Sequence, residues 1–523
     1  MHVRKRLDAL PGAAYNFGMD TAHHNPEETL PEREICYRAL LARDTRFDGV
    51  FFTGVKTTGI YCRPVCRVKT PRASSCIFFP NAAAAEAAGY RPCLRCRPEL
   101  APYALQQNLA YAVWQRIAAG ALNHGDLETL SQKVGLSSRQ LRRVLQEHFG
   151  VSPVELAQTQ RLLFAKKLLQ ETRLPMTELA YAAGFGSLRR FNALFAERYG
   201  LAPSSVRREA GGESDADNAL MLRLAFRPPY NAKCVLAYLA GRAIPGVESV
   251  HDGAYRRSVH IRDHAGDSAG WLQVRLLEGR DQLELEVAPL LAPHLMLLLA
   301  RVRTQFDLDA NPAVIEAHLR QDPMLAAHIA AAPGLRVPGC FDTFELAVRA
   351  VLGQQVSVAG ASTIAGRLVR RFGETAATPF EQVTHLFPRP ETLAAATVDD
   401  IAPLGMPGKR AQTIIGLARF ASDGGLDIKP GASLQQAVQQ LRQVPGIGEW
   451  TAQYVAMRAL RFPDAFPAGD LGLQKAAALS EPQKGVDRLS EKQLLARASG
   501  WSPWRGYAAL LLWNSLHLEK ETP

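Results

Sequence analysis

With 523 residues the chain is too long for one hydrophobic core, and three or four domains are expected. Its formal charge of +11 and pI near 9.3 favour a polyanionic partner, and the lack of any run of about 18 apolar residues argues against a bilayer span. The first twenty residues lack the apolar stretch and cleavage site of a secretory leader, and Cys36, Cys76, Cys234 and Cys340 are scattered singly. The expected setting is therefore reducing and cytoplasmic, at the nucleoid, rather than one that builds disulfide frameworks.

After a tail over 1–29, residues 30–101 carry the densest chemical signal. Cys62 and Cys66, then Cys93 and Cys96, form two close pairs separated by 26 residues, the spacing of a tetrahedral site in which four thiolates hold one Zn2+. Seven lysines and arginines between Arg63 and Arg97 surround the thiolates, as suits a metal site that approaches a polyanion. With their flanks, Thr57-Thr58-Gly59-Ile60-Tyr61-Cys62-Arg63-Pro64 and Arg91-Pro92-Cys93-Leu94-Arg95-Cys96, these residues resemble the zinc domain of the Ada family of DNA-alkylation sensors. The resemblance implies that Cys62, first of the set, takes a methyl group from a DNA phosphotriester. A purely structural zinc knuckle is the plainer alternative.

From 102 to 208 the pattern is almost continuous amphipathic helix with two similar interruptions. Val134-Gly135-Leu136-Ser137-Ser138 leads into Arg139, Arg142 and Arg143; Ala183-Gly184-Phe185-Gly186-Ser187 leads into Arg189, Arg190 and Asn192. Each reads as helix, glycine turn, serine cap and a second helix with basic and amide side chains on one face. The endings Phe149-Gly150 and Tyr199-Gly200 repeat at a spacing of 50 residues, so the helix-turn-helix is expected in tandem. The second copy resembles the DNA-binding half of AraC-type regulators.

Residues 209–218 are acidic, contain glycine and read as a linker. Over 219–292, period-two alternation in Leu220–Leu224, Trp271–Leu276 and Gln282–Val287 predicts a half-exposed antiparallel sheet. Over 293–519 the helical period returns. There Pro445, Gly446, Ile447 and Gly448 form a tight turn between two helices, a helix-hairpin-helix whose backbone amides suit a phosphate. About twenty residues on, a Pro/Gly stretch ends in Asp470.

This combination, with Arg227-Pro228-Pro229-Tyr230, Leu352-Gly353-Gln354-Gln355-Val356-Ser357 and Trp501-Ser502-Pro503-Trp504, resembles the AlkA-type 3-methyladenine glycosylases. The resemblance implies Asp470 as catalytic carboxylate, Trp450, Tyr454 and Trp504 as walls of the base pocket, and Gln355 as the wedge that fills the gap left by the extruded base. Two departures matter. Glutamine stands at 355 where the best-known AlkA-type enzymes have leucine, and Trp450 stands where relatives that also nick DNA carry a Schiff-base lysine. The second implies base removal without strand cleavage. No Pro-Cys-His-Arg motif occurs, so the acceptor domain for O6-methylguanine found in full-length Ada proteins is missing from this sequence.

The expected fold is multidomain and mainly α with α+β parts: a small four-cysteine zinc domain, a tandem helix-turn-helix domain, a small antiparallel-sheet domain and a helix-hairpin-helix glycosylase domain. The expected function combines alkylation sensing, transcription activation and excision of alkylated bases of the 3-methyladenine and 7-methylguanine class. Partners are double-stranded DNA, both alkylated and operator, and RNA polymerase at the promoter, but no membrane. A monomer suffices, because two helix-turn-helix units in one chain can span two half-sites. A rival reading is a glycosylase whose N-terminal half only targets damaged DNA; another is a regulator whose glycosylase half is a non-catalytic clamp.

Overall fold

The computed structural model describes residues 30–102, 109–123, 125–209, 219–480 and 487–521. The expected tail, 1–29, and the expected linker apart from Glu209 lie outside these residues.

The N-terminal unit packs α1 (Arg33–Ala42) and α2 (Ala82–Ala87) on a four-stranded sheet of β1 (Phe52–Val55), β2 (Ile60–Cys62), β3 (Cys76–Phe79) and β4 (Arg91–Pro92). The sheet order is β3-β1-β2-β4, with β2 and β4 parallel and the other pairs antiparallel. That parallel pairing matters because both strands lead straight into zinc-spaced cysteines.

Seven helices follow: α3 (Leu109–Ala118), α4 (Leu127–Val134), α5 (Ser138–Phe149), α6 (Pro153–Glu171), α7 (Met176–Ala182), α8 (Leu188–Tyr199) and α9 (Pro203–Glu209). The repeat read from the sequence is the repeat of caps. Ser137 and Ser187 accept the amide N–H of Gln140 and Arg190 at 3.3 and 3.2 Å, so each starts the second helix of a pair at the same point. Left-handed Gly150 and Gly200 close α5 and α8.

A five-stranded antiparallel sheet comes next, ordered β5-β9-β8-β7-β6, from β5 (Leu220–Ala225), β6 (Glu248–His251), β7 (Ala254–Asp263), β8 (Gly266–Leu276) and β9 (Gln282–Val287), with α10 (Ala232–Ala240) after β5. The strands expected from alternation are β5, β9 and the second half of β8.

The rest is helical: α11 (Leu295–Gln305), α12 (Pro312–Leu319), α13 (Pro323–Ala331), α14 (Thr343–Leu352), α15 (Val358–Phe372), α16 (Pro390–Ala394), α17 (Val398–Ile401), α18 (Gly408–Ser422), α19 (Leu434–Leu441), α20 (Glu449–Arg458), α21 (Leu471–Ser480), α22 (Glu491–Ala498) and α23 (Arg505–Glu521). The apolar faces of α12 to α23 make one large core.

The packing crosses the limits expected from composition. One core joins Leu168, Leu179, Phe191 and Phe195 of the second helix-turn-helix to Leu222, Leu272, Leu285 and Leu299 of the sheet and its covering helix. Long α6 also reaches the zinc unit, where Leu163 packs beside Phe52 and Tyr61. Buried charges reinforce the junction: Lys166 pairs with Glu99 at 2.6 Å, Lys167 with Glu171 at 2.8 Å and Arg97 with Glu171 at 2.5 Å. Arg227, 2% exposed, donates to the carbonyls of Asp48 and Asp309.

Candidate functional site

Three sites emerge, one on each kind of scaffold. In the N-terminal unit, Cys62 ends β2 and Cys93 follows β4, its N–H bonded to the Tyr61 carbonyl at 3.0 Å, while Cys66 and Cys96 close tight turns just beyond. The four sulfurs lie within 4.8 Å of one another. A tetrahedral zinc with bonds of about 2.3 Å sets its sulfurs about 3.8 Å apart, so the cluster has the size and the donor set for that ion. Two of the seven basic residues around it do not face outward as expected. Arg63 is buried and paired with Asp48, and Arg97 is engaged by Glu99 and Glu171, whereas Arg67, Lys69, Arg72 and Arg95 are exposed.

The four sulfurs differ in their hydrogen bonds. The Arg63 N–H donates to Cys96 Sγ at 3.4 Å, the Cys96 N–H to Cys93 Sγ at 3.5 Å, and the Val68 backbone to Cys66. Cys96 is the least buried of the set.

The second site is the outer face of α5 and α8. Arg139, Arg142 and Arg143, and likewise Arg189, Arg190 and Asn192, are all exposed in the N-terminal halves of these helices, and Leu141, Leu145, Phe191 and Phe195 anchor the opposite faces. This is the geometry of a helix that lays its first turns in a major groove.

The third site is built around Asp470. The Pro467–Gly469 stretch turns the chain so that Asp470 caps α21, its Oδ1 accepting the Leu473 N–H at 2.9 Å. The carboxylate is also gripped by two indoles: Trp513 Nε1 donates to Oδ1 and Trp450 Nε1 to Oδ2, each at 3.0 Å. The same carboxylate thus caps α21 and holds both indoles. Trp450 stacks on Tyr454 with centroids 5.6 Å apart and planes 13° off parallel, and Trp513 meets Tyr454 edge-on at 6.2 Å.

Trp513 takes the place expected for Trp504, and this corrects the sequence reading. Trp504 precedes α23, is 7% exposed and packs edge-on against Tyr507 in the core, because only a residue two turns along that helix reaches Asp470. Behind the stack, Arg458 donates to the Tyr454 hydroxyl at 2.7 Å, the Tyr238 hydroxyl lies 3.3 Å from it, and Arg242 sits over the Tyr238 ring at 3.7 Å. Sequence reading missed Arg458, Tyr238 and Arg242, the last two of which come from the sheet unit. Burial raises the Tyr454 phenol, but the charges of Arg458 and Arg242 and the hydrogen bonds from Tyr238 and Arg458 outweigh it and bring it down to about 8. Burial pushes Tyr238 up to about 12.

The hairpin turn lies against the same wall. Ile447 is buried while Pro445, Gly446 and Gly448 are exposed. Gly446 has φ +93°, and a Cβ there would sit 2.0 Å from Thr413 Oγ1, so no other residue fits. Gly448 begins α20 without a side-chain cap, leaving the first amides of that helix for an anion. Gln355 is exposed at the tip of the loop after α14.

Four family descriptions match successive stretches: the metal binding domain of Ada over 35–99, a helix-turn-helix domain over 130–209, the AlkA N-terminal domain over 221–342, and the HhH-GPD superfamily base excision DNA repair protein over 348–497. A protein of Mycobacterium tuberculosis named "Probable bifunctional transcriptional activator/DNA repair enzyme AlkA" is 40% identical over 492 residues, covering 92% of this chain and 96% of its own. The chain belongs to the Ada/AlkA family of bifunctional transcriptional activators and DNA repair enzymes. DNA-3-methyladenine glycosylase 2 of Escherichia coli is 36% identical over 293 residues, 56% of this chain and 96% of that enzyme. The bifunctional transcriptional activator/DNA repair enzyme AdaA of Bacillus subtilis is 29% identical over 206 residues, 38% of this chain and 94% of its own. In this Ada/AlkA protein the cysteine cluster holds one zinc ion, and the partner of the helix-turn-helix and glycosylase units is DNA. Among the described residues no helix is long and apolar enough to cross a membrane.

Proposed function

We propose that the chain removes alkylated bases from duplex DNA by monofunctional hydrolysis, and that methyl transfer from a phosphotriester to Cys62 switches its N-terminal half into a transcription activator. The observation that supports excision best is the Asp470 carboxylate held by two indole N–H groups at the edge of an aromatic stack. The stack receives a base that has left the helix, and a methylated, cationic ring is favoured over aromatic faces. Asp470 stabilises the positive charge that grows on the sugar as the C1'–N bond breaks and orients the water that attacks. Trp450 offers no amine, so the product is an intact abasic strand. The range of bases is the 3-methyladenine and 7-methylguanine class, whose charge makes them good leaving groups.

At the other site bound zinc keeps the thiolates deprotonated at neutral pH. Cys62 Sγ displaces the phosphotriester oxygen from the methyl carbon, leaving a thioether and a phosphodiester anion. Four thiolates on a dication sum to −2, and loss of one leaves −1. At about 10 Å and an effective dielectric of about 20 to 80, that change is worth on the order of 0.4 to 1.7 kcal/mol for each nearby phosphate before screening. Operator binding therefore tightens once Cys62 is methylated, the chain acts as a monomer through its two helix-turn-helix units, and RNA polymerase is the protein it meets at the promoter.

Two measurements test this reading. Asp470→Asn should lower release of 3-methyladenine at least about a hundredfold while still binding an abasic duplex; retained release, or trapping of the wild type on DNA by borohydride, contradicts the mechanism. Operator affinity of unmodified and Cys62-methylated protein over a salt series tests the switch. Equal affinities at low salt leave the N-terminal half as a targeting module.

A further inference from the structure

We propose that Gln354 is a positioning residue for base excision: its carboxamide ties the loop bearing Gln355 to the phosphate-holding turn at Pro445–Gly448, so that filling the vacated base position and anchoring the backbone occur as one event. The inference rests on the glycosylase reading above. Gln355 has φ +56°, a left-handed conformation that is strained for a non-glycine residue and persists only where the surroundings impose it. Beside it Val356 and Val358 are 38% and 46% exposed. A strained polar tip flanked by apolar side chains left in water suits a segment that enters a duplex between base steps.

What imposes the conformation is the preceding side chain. Gln354 Nε2 donates to the Gly446 carbonyl at 3.1 Å and to Thr451 Oγ1 at 3.0 Å, spending both amide hydrogens on the hairpin. The first acceptor belongs to the turn whose amides face the phosphate. The second, 2% exposed, lies in the first turn of α20 next to Trp450, the residue that holds Asp470. Helix α18 braces both ends: Arg410 donates to the Gln354 carbonyl, and Thr413 fills the space against Gly446. One side chain thus fixes the spacing between three things that must act together on a single nucleotide: the residue that enters the helix, the amides that grip the backbone and the carboxylate that meets the sugar. Methionine has a similar length but donates nothing, so Gln354→Met severs the tie and leaves each part in place.

The variant should bind undamaged duplex within about twofold of wild type, because the turn amides survive, but should excise a paired lesion at least about tenfold more slowly in single turnover. Opposite an abasic gap, where extrusion costs less, the loss should shrink below about threefold. In a Gln355→Ala background, which has no wedge to position, adding Gln354→Met should also cost less than about threefold. Thr451→Val removes one acceptor at nearly constant shape and should reproduce part of the loss on paired lesions even if Gln354→Met fails to fold. Equal losses on paired and gapped lesions, full additivity with Gln355→Ala, or wild-type rates for Thr451→Val overturn the proposal. Absence of any release by the wild type from the gapped substrate would instead sink the glycosylase reading itself.

Discussion

At the scale of single residues, the proposed excision site depends on how few directions Asp470 can take. Its two oxygens accept three N–H groups, one from its own helix and two from indoles. Trp513→Phe keeps the ring and deletes one donor, so single-turnover excision should fall about tenfold, the equivalent of one hydrogen bond, while operator binding is unchanged; an unaltered rate would remove Trp513 from the site. Tyr454 offers a spectroscopic handle. Its folded phenol, at about 8, lies below the ordinary value of 10, so ionisation stabilises the fold: the contribution is complete above about pH 10 and is lost as pH falls through about 8. Absorbance at the phenolate band should show a step near pH 8 that is missing in Tyr454→Phe. Asp470, Trp450 and Tyr454, which the resemblance named, lie within one short stretch and are brought together in the structure. The resemblance named Trp504 and passed over Trp513, since which indole reaches Asp470 depends on helical phase along α23 and on which one finds an acceptor.

At the scale of elements, legibility followed periodicity and caps. Ser137 and Ser187 announced α5 and α8 because a serine before a basic amphipathic run has one local use. Strands β5, β9 and the second half of β8 alternate and were readable, whereas β7 is buried on both faces over most of its length and β8 starts with small and polar residues, so β7 and the first half of β8 show no period two. The zinc unit has strands of only two to four residues and a small apolar cluster beside Tyr61. Such a unit depends on its metal. Removing zinc with a strong chelator, or Cys93→Ala, should therefore release the amide protection of β2 and β4 first while α20 and α21 stay protected. Hydrogen exchange measures this directly, and protection of β2 equal to that of the zinc-loaded protein would show that the sheet stands without the ion.

At the scale of the whole molecule, the boundary that composition suggested near 209–218 is not a boundary of packing. Leu222 is fully buried in a core that also contains Phe191 and Phe195 of the second helix-turn-helix. Leu222→Ala should cost on the order of 3 kcal/mol and lower the thermal midpoint for loss of operator binding and of excision together; separate shifts would mean that the halves melt independently. The shared core also bears on what happens when the backbone between the halves is broken. Produced as two polypeptides, 1–209 and 219–523, each piece would offer the other an apolar face of the kind usually met inside a domain. The pieces should find each other and behave as a split protein, recovering from dilution as a one-to-one pair. Here the covalent link serves mainly to raise the local concentration of one half around the other, and a gene divided at this point would still encode a single machine.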